Sequence, residues 1–432
     1  MSLQRKMIVV ALACAMPWVS AQAQSVADLK AEIEALKAQL QMLTQKVESM
    51  GSASDNAALV QQVNRIEQKQ ELAADDQEKT GFKGVKINGV IEANFSYNDR
   101  DKSHNFGATS GSGGDEFGML QITKESQDGE GVDWTLRLLP GNSTSIVHEA
   151  SISIPLNKEN RIIGGIIPDY QGYEYVFSNA NPTLGNQLIS HNALYDLAGP
   201  TSYAGIGMSH TFANGTYALK WIVGNIDSGN DPTDAVDNTA AAASATRSVG
   251  FAGRADWFIN EYAYVGMSLA HGSMNRNFDI IAVDGGFARG DWSFNGQLTT
   301  GVQHAAAANG NDAEWTGVSG LVSYKINPRL QLLARADYID NSKNGGGTYV
   351  DNQGAGGFGL GPELDATGTA INNDVGASLT RLTLGTNYQI NPNTQWKLEY
   401  RLDQSSGNNF QDKDGTFHKD KTSIGTSLVL SF

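Results

Sequence analysis

Residues 395–403 read Gln-Trp-Lys-Leu-Glu-Tyr-Arg-Leu-Asp, and apolar and polar side chains alternate at every position. Successive side chains of a β-strand point to opposite faces of the sheet. Trp396 and Leu398 would therefore share an apolar face, and Lys397 and Glu399 a charged one. The stretch predicts a strand that separates an environment without water from a wet one.

The same alternation returns along the chain, for example in residues 84–98, 290–302 and 328–341. Lipid offers no hydrogen bonds to the backbone, so a sheet that crosses a membrane must close on itself. We therefore predict an all-β transmembrane barrel of about sixteen antiparallel strands over residues 81–432. The predicted strands are 84–98, 115–125, 131–140, 145–156, 160–167, 201–213, 216–225, 246–258, 261–271, 276–287, 290–302, 313–325, 328–341, 373–390, 394–405 and 421–432.

The connections between these strands alternate in length. Every second one is a short turn, such as Asn157-Lys158-Glu159-Asn160 or Asn391-Pro392-Asn393. The intervening ones are mostly longer, notably 99–114, 168–200, 226–245, 342–372 and 406–420. This asymmetry is typical of outer-membrane barrels, with short turns in the periplasm and long loops outside. It predicts the outer membrane of a Gram-negative bacterium as the location.

The last residues carry a second signal. Ile424, Leu428, Leu430 and Phe432 share one face, and Phe432 ends the chain. This ending resembles the C-terminal strand of bacterial outer-membrane proteins. The resemblance implies that the barrel-assembly machinery is a partner and reads the terminal aromatic residue.

The N-terminus has the pattern of an export signal. Arg5 and Lys6 precede an apolar run over 7–19, and 21–23 read Ala-Gln-Ala, a small-x-small cleavage site. The run is shorter than the about 20 residues of a membrane helix. We predict a signal peptide over residues 1–23; a membrane anchor and a lipoprotein acylated at Cys14 are the alternatives. The formal net charge of −15 argues against a nucleic-acid partner.

Residues 26–50 contain a heptad repeat. Its seam consists of Val26, Leu29, Ile33, Leu36, Leu40, Leu43, Val47 and Met50. This spacing predicts a periplasmic coiled coil, with a polar linker completing the segment 24–80, and hence self-association. The seam does not decide between dimer and trimer, and a lone amphipathic helix is the alternative.

A family resemblance lies in the middle of the chain. Its motifs are Gly172-Tyr173-Glu174, Asn179, Ser190, the run Gly199-Pro200-Thr201-Ser202-Tyr203-Ala204-Gly205, and Trp221-Ile222-Val223-Gly224-Asn225. These residues resemble the OmpL-like β-barrel porin family. The coil-plus-barrel layout is also similar to the trimeric DcaP-like porins, and more distantly to phosphate-selective porins. The resemblance implies a homotrimeric diffusion pore of sixteen to eighteen strands, without naming a solute.

If the apolar face meets lipid, the lumen receives a set of basic side chains. They are Lys86, Arg137, Lys220, Arg254, Arg335, Arg381, Lys397 and Arg401. Arg335, Arg381 and Arg401 fall on successive strands and, with Lys397, would form a basic arc. Charged rings of this kind filter ions.

The third external connection, 168–200, carries Asp169 and Glu174. If it folds inward, it would constrict the pore and set an acidic face against the basic arc. The transverse field would favour small polar or zwitterionic solutes, carboxylates among them. Ordinary wall ion pairs without selectivity are the alternative interpretation.

Other functions have weaker support. The chain has seven histidines but neither a Gly-x-Ser-x-Gly nor a His-Glu-x-x-His motif, so we expect no catalytic site, no metal and no cofactor. The loop 227–234 is rich in oxygen ligands and could hold Ca²⁺, but it fails the EF-hand spacing, and a solvated acidic loop is favoured. A structural anchor or tether acting through the coiled coil, and a barrel hydrolase, remain alternatives to the pore.

Overall fold

The computed structural model describes residues 84–100, 102, 104–107, 118–126, 131–139, 146–174, 187–198, 202–226, 249–274, 276–344 and 360–432. The predicted signal peptide 1–23, the coiled coil and linker 24–80, and the acidic loop 227–234 lie outside these residues. None of the helices in the described segments combines the length and the apolar character needed to cross a membrane.

The described chain is an antiparallel barrel of sixteen long strands. Each strand pairs with its neighbours in sequence, and the first also pairs with the last, which closes the sheet. The predicted fold class is thereby confirmed. The strands are β1 (Val85–Asn98), β2 (Gly118–Lys124), β3 (Asp133–Leu138), β4 (Val147–Pro155), β5 (Asn160–Pro168), β6 (Ser202–Phe212), β7 (Tyr217–Ile226), β8 (Gly250–Phe258), β9 (Ala263–Met274), β10 (Arg276–Arg289), β11 (Trp292–Gln303), β12 (Ala313–Asn327), β13 (Leu330–Asp340), β14 (Ser378–Asn391), β15 (Thr394–Ser405) and β16 (Asp420–Ser431).

The closure at β1 includes one element that the sequence pattern did not predict. β1 has 14 residues and β2 only 7, so β2 covers just the first half of β1, Val85–Ile91. A short strand, His104–Gly107, pairs with Asn94–Tyr97 in the other half. It lies inside the predicted loop 99–114, and it provides the partner that an exposed edge of β1 would otherwise lack.

The burial pattern is the reverse of that in a water-soluble sheet. Trp396 and Leu398 on β15 are 42% and 39% exposed, whereas Lys397 and Glu399 between them are 1% and 5% exposed. The apolar side chains of the alternating pattern therefore point out of the barrel and the charged ones point into it. The predicted assignment of faces holds along this strand.

The long connections lie at one end of the barrel, here called the long-loop end, and the short turns lie at the other, the short-turn end. One long-loop connection is an exception, because β9 and β10 pair up to Met274 and Arg276. The connection between β15 and β16 contains a small hairpin of Phe410–Gln411 and Phe417–His418. The connection between β5 and β6 contains a helix, α1 (Ala193–Ala198).

Part of the barrel interior is an apolar core. Phe278, Ile280 and Trp315 point inward from β10 and β12 and pack in one cluster with Tyr170 and Leu194 of the connection between β5 and β6. We expected a polar wall throughout. The difference arises because this connection covers part of the wall, and a covered wall is stabilised by burying apolar side chains.

Candidate functional site

The inner segment, which comprises residues 169–174 and 187–198, contacts inward-facing side chains of β8 and β11–β15. Both parts belong to the predicted external connection 168–200. Their contacts fall into three groups, each centred on a charged residue of the wall.

The first group surrounds Arg254 on β8. Its guanidinium donates to the carbonyl oxygen of Tyr170 at 3.0 Å and forms two parallel hydrogen bonds with Asp284 at 2.7 and 2.9 Å. Its Nε donates to Asp256 at 2.8 Å. The Lys220 ammonium lies 4.3 Å from the centre of the Tyr170 ring. Arg254 and Lys220, which were both predicted to face the lumen, thus contact Tyr170 at the start of the inner segment.

The second group surrounds Arg335 on β13. Its Nη1 lies 2.7 Å from Glu174 and donates to the carbonyl oxygen of Ser190 at 2.8 Å. Its Nη2 donates to the carbonyl oxygen of His191 at 2.6 Å, and its Nε lies 3.2 Å from Asp337. A buried charge is tolerated when it is paired and hydrogen-bonded, and Arg335 meets both conditions.

The third group surrounds Arg381 on β14. It contacts Asp196 of α1 at 2.6 Å and Asp403 of β15 at 2.7 Å, and it donates to the carbonyl oxygen of His191 at 3.1 Å. Arg401 shares Asp403 at 3.1 Å. The side chain of Arg401 is 15% exposed, compared with 7% for Arg381, so Arg401 is the arc arginine most open to water.

Acidic wall residues bind backbone amides of the inner segment. Glu399 accepts hydrogen bonds from the amides of Ile189 and Ser190 at 2.8 and 3.0 Å. Asp337 accepts one from the amide of Ala193 at 3.1 Å. Buried amides need such partners, so these carboxylates fix the path of the backbone next to the wall.

Glycines of the wall make room for apolar side chains of the inner segment. A Cβ added to Gly317 would collide with Leu194, and one added to Gly385 would collide with Leu188. Gly320, on the same strand as Gly317 but facing outward, has nothing within 4 Å of such a Cβ. The wall sequence therefore matches the shape of the inner segment as well as its charges.

The opposite wall is more open. Arg137 and Glu149 on β3 and β4 lie 3.3 Å apart, with side chains 15% and 12% exposed. Arg161 on β5 and Asp133 on β3 lie 2.6 Å apart and are 20% and 26% exposed. By contrast, the inward-facing residues of β12 from Ala313 to Ser323 are all buried. Water therefore reaches β3–β5 more freely than the wall beneath the inner segment.

The remaining predicted site residues have different surroundings. Lys86 pairs with Glu125 at 2.6 Å near the short-turn end. Lys397 is buried and interacts electrostatically with Glu92 and Glu399. Asp169 accepts a hydrogen bond from the amide of Gln171 at 2.7 Å and lies in the electrostatic field of Lys220 and Arg254. Glu174 and Arg335 were predicted to lie on opposite sides of the passage. In the structure the two side chains are in direct contact, so no water separates them.

Three residues of the site escaped the sequence analysis: Arg161, Asp196 and Asp284. Arg161 directly precedes the apolar and glycine run 162–167, and Asp284 directly follows the apolar run 280–283, so alternation gave no inward face at either position. A charged residue next to an apolar run within a predicted strand is the signal that would have found them. Across the described segments, no group of three or more His, Cys, Asp or Glu residues could hold a metal ion.

A closed antiparallel barrel with an apolar exterior and a charged, loop-lined interior defines a membrane β-barrel of the porin class. The chain belongs to the family described as "Putative beta-barrel porin-2, OmpL-like", which it matches over residues 84–432. The resemblance predicted from the motifs is confirmed, and the chain is an outer-membrane porin. No curated protein matches it in sequence.

Solved structures share the fold at low identity. An anion-selective porin from Comamonas acidovorans has a TM-score of 0.54 and 11% identity, and the match covers 81% of this chain and 99% of that one. The outer membrane channel DcaP of Acinetobacter baumannii has a TM-score of 0.52 and 11% identity, and the match covers 81% of this chain and 97% of that one. OmpT of Vibrio cholerae, in a trimer form, has a TM-score of 0.51 and 11% identity, and the match covers 81% of this chain and 99% of that one.

Proposed function

We propose that this porin is a passive diffusion channel for small polar and charged solutes, carboxylates among them, and that the connection 168–200 narrows it. The observation that supports the proposal is the set of contacts between the inner segment and the wall. An inward-folded loop subtracts its own volume from the lumen, so the remaining passage would run along β3–β5.

The charges along that passage support weak ion selectivity. Arg137 and Arg161 each have a carboxylate partner, so their wall is close to neutral. Arg381 contacts both Asp196 and Asp403, whereas Arg401 contacts Asp403 alone and is the more exposed of the two arginines. A guanidinium binds a carboxylate through two parallel hydrogen bonds, so Arg401 is the proposed contact for a passing carboxylate.

The test compares two glycine variants of the refolded protein in planar bilayers. Gly317→Leu should displace Leu194 and loosen the inner segment, whereas Gly320→Leu adds the same side chain to the outer face of the same strand. We expect larger single-channel conductance and passage of larger polymers for Gly317→Leu only. Equal conductance in both variants and the unmodified protein would refute the constriction, and silence from folded barrels would refute the channel.

We also propose a homotrimer, exported with the signal peptide 1–23, inserted through recognition of Phe432, and carrying its coiled coil 24–80 in the periplasm. The heptad repeat over 26–50 supports self-association, and OmpT of Vibrio cholerae has been solved in a trimer form. Native mass measurement of the protein extracted from membranes tests this assembly. A monomer or dimer mass would contradict it.

A further inference from the structure

The outer surface of the barrel carries a groove where its first and last strands meet. The groove measures about 400 Å³ and is lined by Phe95 and Tyr97 of β1, Ile424 of β16, and Lys102. Tyr97 lies directly opposite Ile424 in the sheet. All three strand residues belong to the outward, lipid-facing set, so this seam groove opens toward the membrane rather than the lumen.

The groove lies at the depth of a lipid headgroup. Tyr97 is the second-last residue of β1, and Lys102 follows the strand at the long-loop end. Aromatic side chains concentrate at the two membrane–water boundaries of such barrels. The apolar part of the groove would therefore face acyl chains, while the Lys102 ammonium would lie among the polar groups of the leaflet above them.

The charge of the groove is unusual for its surroundings. The whole chain has a net charge of −15, yet among the described residues that line the groove the charged one is a lysine. The nearby Arg100 is paired with Asp420, whereas Lys102 forms no ion pair with any other described residue. An apolar slot with a lysine at its polar rim is complementary to an anionic amphiphile.

We propose that the seam groove binds one phosphorylated, acylated lipid of the outer leaflet. An acyl chain packs on Phe95, Tyr97 and Ile424, and a phosphate contacts Lys102. The groove volume falls within the about 300–1,000 Å³ of small-molecule sites. The proposal concerns the outside of the barrel and is independent of the diffusion pathway through it.

The test uses the full protein extracted from membranes in a non-ionic detergent. Diphosphorylated lipid A, or the same lipid after phosphatase treatment, is added, and native mass spectrometry counts the molecules retained. We expect one tightly held diphosphorylated molecule per chain. Lys102→Glu should weaken retention about tenfold, the effect of losing one charge-assisted contact.

Lys325→Glu is the matched control, because it makes the same charge change at an exposed lysine of the short-turn end. Ile424→Trp fills the apolar part and should reduce retention without changing charge. Equal retention by Lys102→Glu and the unmodified protein would overturn the proposal. So would equal retention of the dephosphorylated lipid, or the finding that a second copy of the chain occupies the seam.

Discussion

Arg335 and Arg401 differ in burial and in the number of groups that contact them. Its side chain is fully buried and touches Glu174, Asp337 and two backbone carbonyls. A buried arginine with this many partners is held in place, and its charge is cancelled within a few ångströms. Arg401 has one carboxylate, shared with Arg381, and partial access to water. The proposed ion selectivity therefore depends more on how each arginine is paired than on its position in the arc.

Arg401→Ala should shift ion selectivity toward cations by roughly threefold, the Boltzmann factor for a unit charge about 6 Å away in water. Reversal potentials in a salt gradient measure this shift. Arg254→Lys keeps the charge of a fully paired residue and should leave the reversal potential near that of the unmodified protein. If Arg401→Ala also has the reversal potential of the unmodified protein, Arg401 has no role in ion selectivity.

The long-loop rim contains a titratable pair. The hydrogen bond from His304 to Asp312, at 3.2 Å, raises the pKa of the imidazole above its ordinary value of 6.5, and Asp279 adds to this effect. A raised pKa means that this pair adds stability below the unfolded pKa and loses it as pH rises through the folded pKa. Asp312→Asn should lower the pKa of His304, as followed by NMR of labelled histidine. An unchanged titration would contradict the pairing.

At the scale of elements, alternation predicts the outward faces well and the inward faces unevenly. Lipid imposes the same demand on every strand, so an apolar outward face recurs around the barrel. The inward face meets water along β3–β5 but meets the inner segment along β10 and β12. The sequence pattern of one strand cannot reveal which loop will cover it, and this is why Asp284 and the apolar core were missed.

The seam between β1 and β16 depends on a glycine beneath an aromatic ring. Gly89 and Phe432 exchange backbone hydrogen bonds of 2.8 and 3.0 Å, and a Cβ at Gly89 would collide with the Phe432 ring. Packing an aromatic ring over a strand glycine is one way to fix register.

Gly89→Leu should therefore destabilise barrel closure by about 1–3 kcal/mol, the usual cost of overpacking. The yield of heat-modifiable folded barrel on refolding gels reports the effect. Gly296→Leu is the control, because the nearest atom to a Cβ there lies 3.9 Å away. Equal yields would show that the ring is free to move aside and that the seam does not depend on Gly89.

At the scale of the molecule, the sequence predicted the closed barrel and its sixteen strands. It also predicted that the long loops lie at one end of the barrel and the short turns at the other. These follow from demands that act on every strand. The contacts of Arg335 with Glu174 and of Arg381 with Asp196 join residues about 160 and 185 positions apart. No local pattern encodes such pairings, so the sequence predicted an acidic connection and a basic wall but not which groups meet.

The barrel and the coiled coil should be separable. Within the described chain, every long strand from Val85 to Ser431 has partners on both sides, so closure requires no residue of 24–80. Deleting residues 24–80 should leave the conductance of each open barrel unchanged, while the grouping of conductance steps in threes should weaken or disappear. Planar-bilayer recordings of both proteins at matched salt provide the comparison. If the deleted form folds but carries no current, the coil contributes to the pore itself. If the grouping in threes persists unchanged, the barrels associate through their own outer walls and the heptad repeat serves another partner.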